Sequence, residues 1–249
     1  MATKEETDFG FQFVSWEDKQ RMVNGIFHSV AQSYDIMNDV MSLGLHRIWK
    51  REAVALSFVR PGEKVLDLAS GSGDLAYSFF KKVGDSGQVV MTDINGSMLS
   101  VGRDRMENKG TFSQIFYALT NAERIPFPDN SFDIVSIGFG LRNVRDKDQA
   151  LKEIYRVLKP AGRTIILEFS KPSMELFSNI YDAYSFRLLP KFGKWIANDE
   201  ASYRYLVESI RKHPDQPTLG KMMEDARFDE VKWFNFSGGI VAVHRGYKY

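Results

Sequence analysis

Val65-Leu-Asp-Leu-Ala-Ser-Gly-Ser-Gly-Asp74 decides the fold. It starts as a short apolar run after the turn Pro61-Gly62, passes an aspartate, and enters a loop with two glycines. A helical pattern follows at once. An apolar run of strand length, then a glycine loop, then a helix is the opening of an α/β unit. The pattern repeats downstream. Gln88–Asp93 reads as the next strand, after the turn Asp85-Ser-Gly87. Phe112–Ala118, Phe132–Ile137 and Arg163–Glu168 read as three more, with helical patterns between most of them. The helix over Gln149–Leu158 is stopped by Lys159-Pro-Ala-Gly162. Strands alternating with helices imply a parallel sheet covered on both faces.

The flanks read differently. Residues 9–58 have amphipathic helical character throughout, which predicts an N-terminal helical cap. Residues 61–170 form the α/β core. Residues 171–215 break the alternation with an aromatic-rich helical insert. In 216–249, Glu230–Phe236 and Gly239–Arg245 read as an antiparallel hairpin joined at Ser237-Gly238-Gly239, on the edge of the sheet. A chain of 249 residues with 43% hydrophobic content suits one domain, 1–249, made of these parts.

Composition narrows the chemistry. The net charge of +1 lacks the basic excess of a protein built to grip nucleic acid. There is no cysteine, hence no disulfide, thiolate metal site or cysteine nucleophile. His28, His46, His213 and His244 are scattered without metal-ligand spacing, so no metal is expected. Met1–Asp8 is acidic and polar, unlike a targeting leader. No run approaches the ~20 apolar residues of a membrane span. A cytoplasmic location is the expectation.

The glycine loop marks where a nucleoside ligand would sit, because ligands bind at the carboxyl ends of parallel strands. Asp93, ending the second strand, can accept from both hydroxyls of a ribose. Dinucleotides and S-adenosylmethionine both use such an acid. Phosphate discriminates, since a dinucleotide site aims a helix N-terminus at a pyrophosphate. Asp74 stands where that helix begins, and its charge would repel phosphate and suit an ammonium and a sulfonium. Its bland alternative is a helix N-cap. Asn121-Ala-Glu-Arg-Ile-Pro-Phe-Pro-Asp-Asn-Ser-Phe-Asp133 places an amide-acid pair before a proline-rich turn, either an adenine-side element or an ordinary surface turn.

Longer motifs carry a resemblance. Tyr34-Asp-Ile-Met-Asn-Asp-Val-Met-Ser-Leu-Gly-Leu-His-Arg-Ile-Trp49, Gly138-Phe-Gly-Leu-Arg-Asn-Val144 and Arg156-Val-Leu-Lys-Pro-Ala-Gly-Arg-Thr-Ile-Ile-Leu-Glu-Phe-Ser170 are similar to the signatures of the ubiquinone/menaquinone biosynthesis C-methyltransferases, the UbiE family. His213-Pro-Asp-Gln and His244-Arg-Gly-Tyr-Lys resemble the ending of its bacterial members. The resemblance spans nearly the whole chain. It implies a Rossmann-like class I methyltransferase fold, a mostly parallel seven-stranded sheet, and S-adenosyl-L-methionine as cofactor with S-adenosyl-L-homocysteine as product. It implies cofactor contacts at Ser72, Asp93, Asn121 and Ala122. With the loop and strand ends, the candidate cofactor set is Asp67, Gly71, Ser72, Gly73, Asp74, Asp93, Ile94, Asn121, Ala122 and Gly138. Four positions depart from the family pattern. Ser70 and Ser72 stand in a loop that is usually Gly-Gly-Thr-Gly-Asp, Gly138 replaces a common serine, and Ala161 replaces a usual glycine.

The implied acceptor is a ring carbon of a polyprenylated quinol, either 2-polyprenyl-6-methoxy-1,4-benzoquinol or demethylmenaquinol. Such a carbon is electron-rich, and more so once a phenolic proton is lost. The enzyme must align ring and methyl and assist two proton losses. Arg142 is the expected electrostatic clamp on the developing phenolate, with a salt-bridge arginine as the alternative. Tyr34 and Asn143 are candidates to hydrogen-bond the quinol oxygens. His46 is either a base or a hydrogen-bonded core histidine, since Met41, Leu45 and Trp49 flank it at helical spacing. Phe177, Ile180, Tyr181, Tyr184 and Leu188 form one helical stripe, followed by Arg187, Lys191 and Lys194. It reads as a lid with a peripheral contact at the inner membrane, or as simple packing on the sheet. A homodimer or a quinone-biosynthesis complex is the expected assembly. The competing readings are a methyltransferase for another small molecule or for nucleic acid, and a non-catalytic partner. Against nucleic acid, Gly138-Phe-Gly-Leu-Arg-Asn143 lacks the Asp/Asn-Pro-Pro-aromatic cluster of base amino-group methylation.

Overall fold

The computed structural model describes residues 6–30, 39, 42, 44–111, 114–172 and 200–249, with the side chains of 20, 24, 27–30 and 200–203 outside that set. Tyr34 and the stripe from Phe177 to Leu188, with Arg187, Lys191 and Lys194, lie outside the described residues. The described elements run β1 (Glu6–Phe9), β2 (Gln12–Ser15), α1 (Trp16–Val30), α2 (His46–Leu56), β3 (Lys64–Leu68) and α3 (Asp74–Val83). They continue with β4 (Gln88–Asp93), α4 (Gly96–Asn108), β5 (Ile115–Leu119), β6 (Phe132–Gly138), α5 (Lys147–Val157) and β7 (Leu158–Phe169). The last are α6 (Glu200–Lys212), α7 (Gln216–Asp225), β8 (Asp229–Phe236) and β9 (Val241–Tyr247).

The main sheet has seven strands in the order β5-β4-β3-β6-β7-β9-β8. The first five are parallel, and β9 runs antiparallel to both β7 and β8. The strand order reverses between β3 and β4 on one side and β6 on the other, where ligands of open sheets bind. Alternation splits the strands between two faces. Val65, Val89, Met91 and Ile134 pack with α3 residues Leu75, Ala76 and Phe79. Leu66, Leu68, Val90, Val135 and Ile137 point the other way, against Leu151 and Ile154 of α5 and Leu219 and Met223 of α7. The seven-stranded, mostly parallel sheet with an antiparallel C-terminal hairpin is the fold anticipated from the sequence.

Three local expectations change. The N-terminal cap is not helical from residue 9, because β1 and β2 form a hairpin pairing Phe9 with Gln12. Its signal was the alternation Phe9-Gly-Phe11-Gln-Phe13 with Gly10 at φ +60° in the turn. The third strand begins at Ile115 rather than Phe112, since Thr111 still caps α4 through its hydroxyl on the Met106 carbonyl, 2.9 Å. The fifth strand begins at Leu158, so the expected stop of α5 leads straight into a strand.

Ala161 sits in that lead-in at φ +63°, a left-handed conformation. Its N–H donates to the Lys248 carbonyl at 2.7 Å, which fixes the geometry. A Cβ there costs about 1–2 kcal/mol, and glycine's extra freedom when unfolded returns about 0.4–1 kcal/mol. Ala161→Gly is therefore expected to stabilise the protein by about 0.5–1 kcal/mol. Thermal unfolding checks this, with a rise of about 1–4 °C expected.

Candidate active site

The loop after β3 is stitched to the end of β4. The Ser70 hydroxyl donates to the Asp67 carbonyl at 2.7 Å and accepts from Thr92 N–H at 3.1 Å. Gly71 N–H donates to Asp93 Oδ2 at 3.0 Å, and Asn95 N–H to Asp93 Oδ1 at 2.9 Å. Gly71 and Gly73 take φ +53° and +83°, so the chain turns tightly under the cavity. Gly102 of α4 lies against this turn, where a Cβ would stand 2.6 Å from the Gly71 carbonyl oxygen.

A cavity opens above. Leu68, Ala69 and Gly71 form its floor; Asp93, Ile94, Asn95 and Met98 one side; and Thr120, Asn121, Ala122 and Glu123 another. Phe139, Gly140, Asn143, Val144 and Arg145 close the end beyond β6, and Lys19 and Val23 of α1 cover it. Of the anticipated cofactor residues, Gly71, Asp93, Ile94, Asn121 and Ala122 line it, and so does Asn143 from the acceptor set.

The cavity fits an adenosyl group. Asp93 accepts Gly71 N–H on Oδ2 and Asn95 N–H on Oδ1, the Ile94 N–H also bonds its carboxyl, and the remaining lone pairs are what a ribose hydroxyl could use. Burial pushes the Asp93 carboxyl pKa up, against the N–H bonds of Asn95 and Gly71. Asn121 accepts from Glu123 N–H through its amide oxygen, 2.9 Å, which leaves its NH2 donors for a ligand. Thr120 Oγ1 is buried in the cavity wall without a protein partner. Ile94 remains 39% exposed, an apolar face for a ring.

The other expected residues sit behind the wall. Asp67 is fully buried and accepts from the Ser136 hydroxyl at 2.6 Å. Burial pushes its pKa up to about 6, and the Ser136 and Ser70 hydroxyls oppose that. The folded chain therefore binds this proton more tightly than the unfolded chain does. Stability is expected to fall as pH rises from about 4 to about 6. Asp67→Asn should flatten that slope and gain on the order of 2–3 kcal/mol at pH 7, read by urea unfolding at several pH values.

Asp74 is the first residue of α3, where the helix was expected to begin, and Gly73 holds the N-cap position, so the N-cap alternative for Asp74 is the one that falls. Its carboxylate is taken by Lys50 at 2.7 Å and Arg105 at 2.8 Å. Two cations offset its charge, so Asp74 does not by itself make the loop hostile to phosphate. Ser72 is buried beside it, accepting from Arg105 at 3.2 Å. Gly138 ends β6, where a serine Cβ would meet Leu75 Cδ1 at 2.4 Å. A serine there would need the Leu75 side chain to shift.

Arg142 is 4% exposed and bound to Glu168 at 2.7 Å; its guanidinium also donates to the Phe139 carbonyl. It is the salt-bridged arginine, not a residue of the cavity wall, because a buried guanidinium keeps its carboxylate. His46 is buried, pairs through Nε2 with Asp39 at 2.8 Å, and has its pKa lowered by burial. It lies off the cavity as a hydrogen-bonded histidine of the cap. Sequence reasoning missed Lys19, Thr120, Glu123 and Arg145. Glu123 and Arg145 form an ion pair across 22 positions, and no sequence period links them.

The glycine loop after β3 and the acid ending β4 suit a nucleoside ligand, and the seven-stranded sheet that carries them has the fold of solved S-adenosylmethionine-dependent methyltransferases. A solved SAM-dependent methyltransferase from Thermotoga maritima shares the fold at TM-score 0.63, with 20% identity over 90% of this chain and 99% of that one. Within that class, the chain belongs to the ubiE/COQ5 methyltransferase family, whose model matches residues 15–248. It is 60% identical over 243 residues to the ubiquinone/menaquinone biosynthesis C-methyltransferase UbiE of Francisella tularensis subsp. tularensis, covering 98% of this chain and 97% of that one. It is 59% identical over 247 residues to the same-named protein of Hydrogenovibrio crunogenus, covering 99% and 97%.

Proposed function

We propose that this chain is a C-methyltransferase that moves the methyl group of S-adenosyl-L-methionine to a ring carbon of a polyprenylated quinol, in ubiquinone and menaquinone biosynthesis. The observation that carries this is 60% identity, nearly end to end, to a relative named for C-methylation on both routes. The cofactor supplies an electrophilic methyl on a sulfonium and leaves as S-adenosyl-L-homocysteine.

The chain's residues divide the remaining work. Asp93 takes the ribose hydroxyls. Ile94 flanks the adenine, while Asn121 and the Ala122 backbone meet its edge. Gly71, with Gly73 and Ser72 beneath, gives the methionine end a close backbone approach, and Asp67 and Asp74 hold that loop from behind. Gly138 offers backbone only. Asn143 faces the acceptor. Its amide oxygen accepts from Tyr205 Oη at 3.0 Å, so its NH2 is turned to other use. Arg142 acts as a positioning residue, fixing Leu141–Asn143 against Glu168. Tyr34 remains a proposed contact to a quinol oxygen. The chain works as one domain, with the segments before 58 and over 171–215 as cap and lid. No described helix is long and apolar enough to cross a membrane. A polyprenyl tail met at the bilayer surface, through the basic residues Arg187, Lys191 and Lys194, is part of the same proposal. Association with a second copy or with other quinone-pathway enzymes belongs to the same proposal.

The test offers the protein S-adenosylmethionine with each quinol in turn, carrying short and long prenyl tails. Methylated product from at least one quinol is expected. Product from neither, with S-adenosylmethionine bound, would remove the acceptor from this reading.

A further inference from the structure

Methylation of a quinol carbon needs a group that takes the hydroxyl proton, and Arg142 is committed to Glu168. The titratable groups in the cavity lining are Lys19, Asp93, Glu123 and Arg145. Asp93 carries backbone N–H bonds and the ribose site, and Glu123 and Arg145 neutralise each other. Lys19 is different. Its side chain is 2% exposed, yet its protein contacts are long: Thr7 Oγ1 at 3.4 Å and Asp8 Oδ1 at 3.6 Å. A buried ammonium normally holds tight, short partners. Here the amine is enclosed and, among the described residues, loosely held, and Lys19 is one of the residues that line the cavity.

We propose that Lys19 is the catalytic base of the reaction, taking the proton of the quinol hydroxyl beside the carbon that is methylated. This rests on the quinol reading above. The neutral amine of Lys19 bonds the hydroxyl proton, and the O–H pair stays on oxygen as phenolate. The ring carbon forms its bond to the methyl carbon as the carbon–sulfur bond breaks, with that pair left on sulfur. The ring hydrogen on the methylated carbon then leaves as a proton to water, and Lys19 returns its own proton to the oxygen. One proton is released per turnover, and the lysine ends as it began.

The surroundings support an amine that gives up its charge. Facing Lys19 are Asp8 of β1, Lys147 of α5, and the Glu123–Arg145 pair, with Asp93 across the cavity. Ionised throughout, Lys19, Lys147 and Arg145 match Asp8, Glu123 and Asp93 in charge, so the second lysine leaves no carboxylate to spare for the Lys19 ammonium. Burial lowers the Lys19 pKa to about 8, Lys147 pushes the same way, and Asp8 and Glu123 oppose. A sulfonium in the same cavity also disfavours the ammonium. Once the quinol proton has moved, the protonated amine faces a phenolate.

The test combines turnover with a titration that needs none. In protein labelled with 13C at lysine Cε, the signal missing from Lys19→Met should titrate near pH 8, and a midpoint near 10.5 would overturn the proposal. Lys19→Met should lower kcat by about 10²-fold or more, with S-adenosylmethionine affinity by calorimetry within about twofold. Asp8→Asn should move the acid limb of the kcat profile to lower pH, and Lys147→Met to higher pH. These opposed shifts do not follow from a structural role and do not need the Lys19 variant to fold. Wild-type kcat in Lys19→Met overturns the base assignment alone. Lost cofactor affinity with full kcat at saturation assigns Lys19 to the cofactor's carboxylate and also overturns it. A wild type inactive on every quinol overturns the acceptor reading, and this proposal with it.

Discussion

Asp93→Ala is expected to weaken S-adenosylmethionine binding by about 10²–10³-fold, the largest effect of any single change on cofactor affinity. The carboxylate offers its remaining lone pairs to the ribose, and hydrogen bonds to a charged acceptor contribute about 1.5–3 kcal/mol each. The lower end of that range already reaches 10²-fold. The variant also strips the acceptors from Gly71 and Asn95, two backbone N–H groups that shape the cavity floor and side. Asp93→Asn keeps one good acceptor and is expected to lose less, about tenfold. Calorimetric titration separates the three proteins. Unchanged affinity in Asp93→Ala would remove Asp93 from the ribose.

Glu168→Leu is expected to destabilise the fold by about 3–5 kcal/mol. It would leave the Arg142 guanidinium at 4% exposure without the carboxylate it binds at 2.7 Å. Glu168 also accepts from the backbone N–H of Arg142 and of Phe169, so its loss frees the turn that carries Asn143 into the cavity. Turnover should therefore fall with stability. Glu168→Leu with Arg142→Met removes both charges, and most of the stability should return, because an apolar pair spares the desolvation cost. Turnover should stay low in the double variant, since Leu141–Asn143 has lost its anchor. Urea unfolding and initial rates read the two effects apart. A loss under about 1 kcal/mol in the single variant would contradict the buried-pair account.

Much of this was legible in the sequence, for physical reasons. Strands buried on both faces read as apolar runs, so β3, β4 and β6 were visible with their turns, and the C-terminal hairpin was visible from the turn Ser237-Gly238-Gly239. Residues that reach the cavity from a strand end, such as Asp93 ending β4 and Asn121 after β5, were also visible. What could not be read was pairing over distance. Asp74 looked like a free charge until Lys50 and Arg105 closed on it. Arg142 looked available until Glu168, 26 residues on, took it. Lys19 stands in the charged stretch Trp16-Glu-Asp-Lys-Gln-Arg21, and its burial comes from Thr7 and Asp8 of β1 and from Glu123 and Lys147, none of them near it on one helix face. Ala161 was visible as a departure from a glycine pattern, but its cost needed the backbone angle.

The central claim is transfer to ring carbon, and the position of the transferred methyl tests it most directly. With S-adenosylmethionine carrying a 13C methyl and a prenylated quinol acceptor, the product's carbon spectrum should show the label as an aryl C-methyl group. Label in an O-methyl ether, or none in the quinol while the cofactor is bound, would contradict it.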